Sequence, residues 1–453
     1  MIGKTPYYGE EVIPAERRRR FQASLVFHGG AVLVTWSFAL LAWHSRSESL
    51  SLPIYLAGMG GAWMGAVAAW LSDRNGRPQP WWVLIVCALL IRCLAFSCLP
   101  LLEDDPWRYL WDGYQTATHG TPYGRAPSDS FGDPQVPLSL QRVLDRVNHP
   151  DLPTVYGPSA QLAFYFSYVV SPGSLWPWKV ILGAADIVVL VILARSGVRG
   201  AFAFWTFCPL LLQSTWASAH IDGLAVAFTV AALTRNRSAR GALSAALLLA
   251  LAVGVRPIAL LVAPWTLRRN LRAWISFLAM VVALHLPVVL GGGWPLAPEV
   301  AERLAGWEFN PSVYALLATA LDPTLARWIV AGGFGVLWLL ILQRHPPSTP
   351  SSSPPGIAQV PGASIFGFLW LLSPVVNPWY LVWLAPFIAV RPAVWSVTAL
   401  AVVGLSYVTG LRLGDATLGT FEHPPWLRPV EYGAIALAGI ADWVITRSRS
   451  RPR

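Results

Sequence analysis

The chain has 453 residues, 55% of them hydrophobic and only 12% charged, against roughly 25% charged in an ordinary soluble domain. That balance excludes a water-soluble globular enzyme and fits an integral membrane protein. The formal net charge of +10 does not point to nucleic acid. The basic residues cluster beside apolar runs, at Arg17 to Arg20, Arg235 to Arg240, Arg268 to Arg272 and Arg447 to Arg453, which is the pattern of cytoplasmic turns and lipid-headgroup contact.

Apolar runs about as long as a bilayer is thick recur along the whole length, so the expected fold class is an all-α polytopic membrane protein. The 24 Trp residues suit the membrane-water interface. Cys87, Cys93, Cys98 and Cys208 lie in or beside apolar runs and read as small core residues, not as disulfides or metal ligands. No cleavable signal peptide is evident, which makes the first span the anchor.

In chain order, residues 1–23 form a polar cytoplasmic segment ending in ERRRR. Spans are expected at 24–43, 54–71 and 81–102, with the Asp73 to Arg77 turn inside. That count places the loop 103–154 outside. It opens with Glu103, Asp104 and Asp105, and Trp107, Tyr109, Leu110, Trp111 and Tyr114 recur at near-helical spacing. Such spacing predicts an amphipathic helix lying in the interface. The apolar piece 155–171 is expected to be re-entrant or interfacial, because only then do Arg195, Arg199 and the Arg235 to Arg240 cluster fall inside.

Further spans are expected at 178–194, 200–214 and 219–234. The run 239–267 is broken at Arg256-Pro257, a charge beside a helix breaker that often marks a cavity. A span at 273–290 leads to a second outer loop, 291–323, and a span at 325–343 to a Pro/Ser-rich stretch, 344–363, read as a flexible cytoplasmic linker. Two short pieces, 364–376 and 378–390, meet at SPVVNPWY. A span at 394–411, a third outer loop at 412–428 and a last span at 429–446 return the basic tail 447–453 to the cytoplasm. The whole of 24–446 is one membrane domain of roughly twelve to fourteen spans with both termini inside.

The polar residues expected on the outer side are Asp104, Asp105, Arg108, Asp112, His149, Tyr156, His220, Asp222, Arg256, Asn310 and Tyr380. A carboxylate can take a proton from an acceptor hydroxyl while a guanidinium stabilises charge on a departing phosphate. Each has a plainer alternative. Asp104 and Asp105 are also suited to capping a helix that begins at Pro106. Asp112 is spaced to pair with Arg108 on one helix face, and a lone histidine such as His220 is more often interfacial than catalytic. Arg256 inside an apolar run needs a partner or a water path. No tight metal-ligand spacing such as HxxxH occurs, so no metal is expected beyond a divalent ion loosely held by the two aspartates.

The segment EDDPWRYLWDG followed by HGTPYGRAP resembles the first outer loop of GT-C superfamily integral-membrane glycosyltransferases, above all the polyprenyl-phosphate-dependent mannosyltransferase-like branch of bacteria. Five more segments follow in matching order: NHPDLPTVYGPSAQLAF, SAHIDGLAVAF, GVRPIALLVAP, FNPSVYALL and LSPVVNPWYLVWLAP. The resemblance covers about residues 80 to 390. It departs at Tyr156-Gly157-Pro158, where the family commonly has Tyr-Pro-Pro, and at Arg256-Pro257, where it commonly has Lys-Pro. It implies a GT-C-like bundle whose long first outer loop carries amphipathic helices, in a bacterial-type cell membrane, with an extracytoplasmic site. It also implies an inverting transfer of a sugar, mannose first, from polyprenyl phosphate to a glycolipid or glycan. Asp105 is then the first choice as base and Asp104 the second. Arg108 and Arg256 face the donor phosphate, and Tyr109, Asp112, Tyr123, His149, Tyr156, His220, Asp222, Asn310 and Tyr380 line the substrates. The rival reading is a lipid or sugar transporter, in which Arg256 and the broken helices line a path.

Overall fold

A computed structural model describes residues 15–46, 50–76, 78–235, 238–293, 298–347, 356–414 and 417–450. Most of the N-terminal segment, the middle of the Pro/Ser-rich stretch and the last tail residues therefore lie outside the described residues. Among the described residues the regular elements are helical, apart from one isolated parallel bridge between Phe309 and Val375.

Helices α1 (Ala15–His44) and α2 (Leu52–Asn75) pack antiparallel, with the Ser72 hydroxyl donating to the Ala23 carbonyl where α2 ends beside the start of α1. Then come α3 (Trp81–Ser97), α4 (Asp105–His119), α5 (Leu138–Leu144), α6 (Pro158–Val170) and α7 (Trp176–Arg195). Proline in the first turn opens α2, α4, α6 and α7, where its missing N–H costs nothing. Next, α8 (Ala201–Phe207) and α9 (Pro209–Leu211) run into a π-helical turn, Leu212–Ala217, and α10 (Asp222–Leu233) leaves it at 115°. Helix α11 (Ala239–Val255) stops at Arg256, because a residue before proline is pushed out of the helical region. A 3₁₀ turn, Pro257–Val262, continues as α12 (Ala263–Leu267). The chain goes on through α13 (Leu271–Leu290), α14 (Pro298–Gly306), α15 (Val313–Ala318), α16 (Pro323–Arg344) and α17 (Gly362–Leu372). A second 3₁₀ segment, Pro378–Leu384, precedes α18 (Ala385–Val390), α19 (Val394–Val402) and α20 (Leu427–Ser450).

Among the described residues five helices are long and apolar enough to cross a membrane, or six if the bent pair before and after His220 counts as one. This is fewer than the twelve to fourteen expected. Composition measures apolar length but not helical continuity, and six apolar helical segments stop at 10–17 residues. Helix α6, which is not among those six, is short as well. Its 13 residues rise about 20 Å, less than the roughly 30 Å hydrocarbon core.

Turns expected on the cytoplasmic side touch one another. The Arg199 guanidinium donates to the Gly76 carbonyl, and Trp265 donates to the His345 carbonyl at 2.8 Å. Segments expected on the outer side also meet: Arg46 reaches the Ser97 carbonyl at 3.1 Å, and Gly124 abuts Gly291.

Two expectations need correction. Helix α4 does not lie on a lipid surface with a wet face. Residues from Arg108 through Gln115 are all buried, because α5 and α6 cover it. The stretch 344–363 is not a free linker where it is described. Ile357 and Val360 are buried and join the main core beside α18, because apolar residues follow the Pro/Ser run.

Candidate active site

The left-handed backbone at Leu102 (φ 58°) turns the chain just before Glu103, so three consecutive carboxylates precede or open α4. Asp104 stands at the N-cap position but makes no side-chain capping bond. The Asn148 amide instead bridges the pair, donating to Asp104 Oδ1 at 3.0 Å and Asp105 Oδ1 at 2.7 Å. One helical turn on, the Tyr109 hydroxyl donates to Asp105 Oδ2 at 3.4 Å. The pair is therefore held as a side-chain cluster and not as a helix cap.

Behind it lies a chain of charges. Arg412 grips Glu103 in two-pronged fashion, Nη1 to Oε1 at 2.7 Å and Nη2 to Oε2 at 3.2 Å. The buried His220 ring stands between two carboxylates, with Nε2 3.6 Å from Glu103 and Nδ1 3.5 Å from Asp105. These are ion-pair distances, longer than a good hydrogen bond. Trp379 stacks on the imidazole, ring centroids 3.9 Å apart and planes 11° apart. The ring's place follows from the π-helical turn, since the His220 amide donates to the Ser214 carbonyl and Ala219 takes φ 57°.

Opposite stands Arg256, in the break between α11 and the 3₁₀ turn. Its Nη2 donates to Asp222 Oδ2 at 3.1 Å, Trp383 donates to Asp222 Oδ1 at 2.9 Å, and the guanidinium lies over the Tyr380 ring at 5.5 Å. Its Nε is buried without a hydrogen-bond partner, while about a fifth of the side chain is exposed. A guanidinium with donors left over is suited to an anionic ligand.

These groups border one cavity of about 550 Å³, lined by Asp104, Asp105, Arg108, His149, Tyr156, Arg256, Tyr380 and Arg412 among others. Its aromatic walls include Trp307, Phe309, Trp379 and Phe421. The bridge between Phe309 and Val375 ties the second outer loop to the SPVVNPWY segment and closes one side.

Arg108 reaches the cavity wall with its donors already engaged, and several other nominated residues stand behind that wall. Arg108 gives Nε to Asp112 at 2.9 Å and Nη2 to the Leu152 carbonyl at 2.9 Å. Asp112 also accepts from Thr154 and Gln161 and is wholly buried. The plainer reading of this pair is therefore the one its geometry fits. It is a brace that fixes α4 against the chain entering α6. Tyr109 stacks on Phe164 at 4.7 Å, and Tyr123 donates to the Tyr156 carbonyl at 3.2 Å. Asn310, at φ 47°, donates to both carboxylate oxygens of Glu431 on α20 at 3.1 and 3.2 Å. His220 and Asp222 act on the cavity through Asp105 and Arg256.

The two aspartates are driven apart electrostatically. Burial and the neighbouring charge of Asp105 raise the Asp104 carboxyl above its usual range, although 43% of the side chain remains exposed. For Asp105 burial also opposes ionisation. His220, the Asn148 amide and Arg256 outweigh it and hold the carboxyl below the usual range. His149, at φ 43° and edge-on to Trp307 at 5.5 Å, is kept toward neutrality by burial and by Arg303. Among the described residues no group of three His, Cys, Asp or Glu side chains is arranged to hold a metal ion.

Sequence reasoning did not nominate Glu103, Asn148, Trp379 or Arg412. One signal was present for Arg412, a cation in an expected outer loop, against the positive-inside tendency. Comparison with protein-family models, curated proteins and solved structures finds no match to this chain.

Proposed function

We propose that this chain is a GT-C-like integral-membrane glycosyltransferase. It moves a sugar, mannose first, from a polyprenyl-phosphate donor to a glycolipid or glycan outside the cytoplasm, with inversion at the anomeric carbon. The observation that supports this best is one cavity in which Asp104 and Asp105 from α4 face Arg256 from the break after α11.

The chemistry would run as one displacement. The acceptor hydroxyl oxygen attacks the anomeric carbon while its proton passes to a carboxylate. The bond from that carbon to the phosphate oxygen breaks, and the electron pair leaves on the polyprenyl phosphate. Asp104, the more open of the pair and with its carboxyl raised toward working pH, suits the proton-accepting role better than Asp105. Asp105, fixed by Asn148 and Tyr109, supplies standing negative charge beside a developing oxocarbenium ion. Arg256 would neutralise the leaving phosphate. A prenyl chain leaves the bilayer only at about 0.8 kcal/mol per buried CH₂, which accounts for an aromatic-walled site next to the spans.

The test is transfer from radiolabelled polyprenyl-phosphate mannose, and from other donor sugars, to a membrane lipid extract by protein in lipid nanodiscs. Label should move with wild type and fall by about 10²–10⁴ with Asp104→Asn. No transfer from any donor sugar would remove the reading. The 115° break before α10 also suits a transport path. In that case there would be no sugar transfer to lose, whereas on the glycosyltransferase reading Asp105→Asn abolishes sugar transfer and leaves any lipid movement intact.

A further inference from the structure

A second hollow, of about 740 Å³, shares Leu152, Arg303 and Trp307 with the first. Its chemistry differs. The inner cavity has aromatic walls around an acid and guanidinium floor, whereas the outer one adds Glu302, Gly306 and Glu308. Glu302 and Arg303 are exposed on α14. Trp307 is half-buried at the junction, steadied by the Phe421 ring at 5.1 Å, with the Arg303 guanidinium 5.7 Å from its centroid. Arg108, Arg256 and Arg412 each pair with a carboxylate, while among the described residues Arg303 has none. Glu308 is partly committed, accepting from Tyr314 and from Arg327 at 3.2 Å.

We propose, on the glycosyltransferase reading above, that this outer hollow is the acceptor subsite and takes a hydroxyl-rich glycan chain of several sugar units. Trp307 presents an indole to the apolar face of a pyranose ring, the Glu302 carboxylate accepts from sugar hydroxyls, and the Arg303 guanidinium donates to sugar oxygens. A prenyl tail would have to desolvate these charged groups, so the lipid is confined to the inner cavity. A volume of about 740 Å³ lies within the usual range for ligand sites, about 300–1,000 Å³. With the reacting sugar at Asp104, the following units of the acceptor extend past Trp307 into the outer hollow.

The experiment measures transfer from labelled polyprenyl-phosphate sugar to a series of mono- to tetrasaccharide acceptors by the full chain in nanodiscs. Wild type should show KM falling about tenfold with acceptor length, the gain expected from one or two further hydrogen bonds. Gly306→Trp should abolish that gain by filling the hollow, since a Cβ at Gly306 meets nothing within 4 Å. Glu302→Gln, at an exposed position, should raise KM for the longer acceptors and not for the monosaccharide. A wild-type KM indifferent to acceptor length, or a length gain that survives both variants, overturns the subsite. Failure of wild type to transfer to any acceptor overturns glycosyl transfer itself, and the subsite falls with it.

Discussion

The two aspartates at the mouth of α4 are adjacent in sequence and opposite in behaviour, and pH separates them. Folded Asp104 keeps its proton to a higher pH than the unfolded chain does, so stability falls as pH rises from the ordinary 3.8 through its raised value and stays lower above it. Asp105 works the other way, its stabilisation present above 3.8 and lost as pH falls through its depressed folded value. Thermal unfolding in detergent at pH 7 should therefore show Asp104→Asn melting above wild type and Asp105→Asn below it. The kcat/KM profile should carry an acid limb displaced above the ordinary carboxylate range. Equal shifts of melting temperature in the two variants would refute the division of labour. A second test concerns Glu103, whose carboxylate is buried and depends on Arg412. Removing one partner of a buried pair costs about 3–5 kcal/mol, so Arg412→Ala should melt lower and transfer poorly. Arg412→Lys should recover only part, because an ammonium cannot make the two parallel bonds. A melt identical to wild type would show that Glu103 is held by something else.

At the scale of elements, the site depends on a backbone crossing. Gly157 opens α6 and Gly254 lies near the end of α11, so close that a Cβ on Gly157 would sit 2.3 Å from the Gly254 carbonyl oxygen. One residue before the first is Tyr156 and two after the second is Arg256, so the crossing brings both to the same cavity. This gives a physical reason for glycine where the resembling family commonly has proline. Gly157→Ala should push α6 and α11 apart, cost about 1–3 kcal/mol and reduce transfer by about 10²-fold through misplacement. Melting and transfer measured on the same preparation would check it, and a fully active variant would count against the crossing. The break after α11 was readable because Arg256-Pro257 carries both a charge and a helix breaker, while the expectation that 155–171 does not cross rested on where the arginines must lie. The 115° bend was not readable. No proline or glycine stands between Leu212 and Ile221, and the wider hydrogen bonds of the π-helical turn, such as Ser218 to the Gln213 carbonyl, have no local sequence signature.

Across the whole molecule, the cavity draws on all three loops expected to lie outside, together with the breaks at Arg256 and at Asn377 to Tyr380. Charge and apolar length could assign those loops to one side, since both are sums over sequence. Which carboxylate meets which cation could not be read in that way. Glu103 and Arg412 lie 309 residues apart, and nothing local to either names the other. The sidedness itself is testable without any substrate. Gln135→Cys, exposed in the loop after α4, should react with a membrane-impermeant maleimide in intact cells. Arg269→Cys, exposed in the turn before α13, should react only after permeabilisation. The native cysteines should contribute little, because Cys98 and Cys208 are buried and Cys93 is exposed only on the apolar helix α3. The opposite pattern would put the cavity on the cytoplasmic side. A donor presented outside would then have no route to Asp104, whatever the geometry within the cavity.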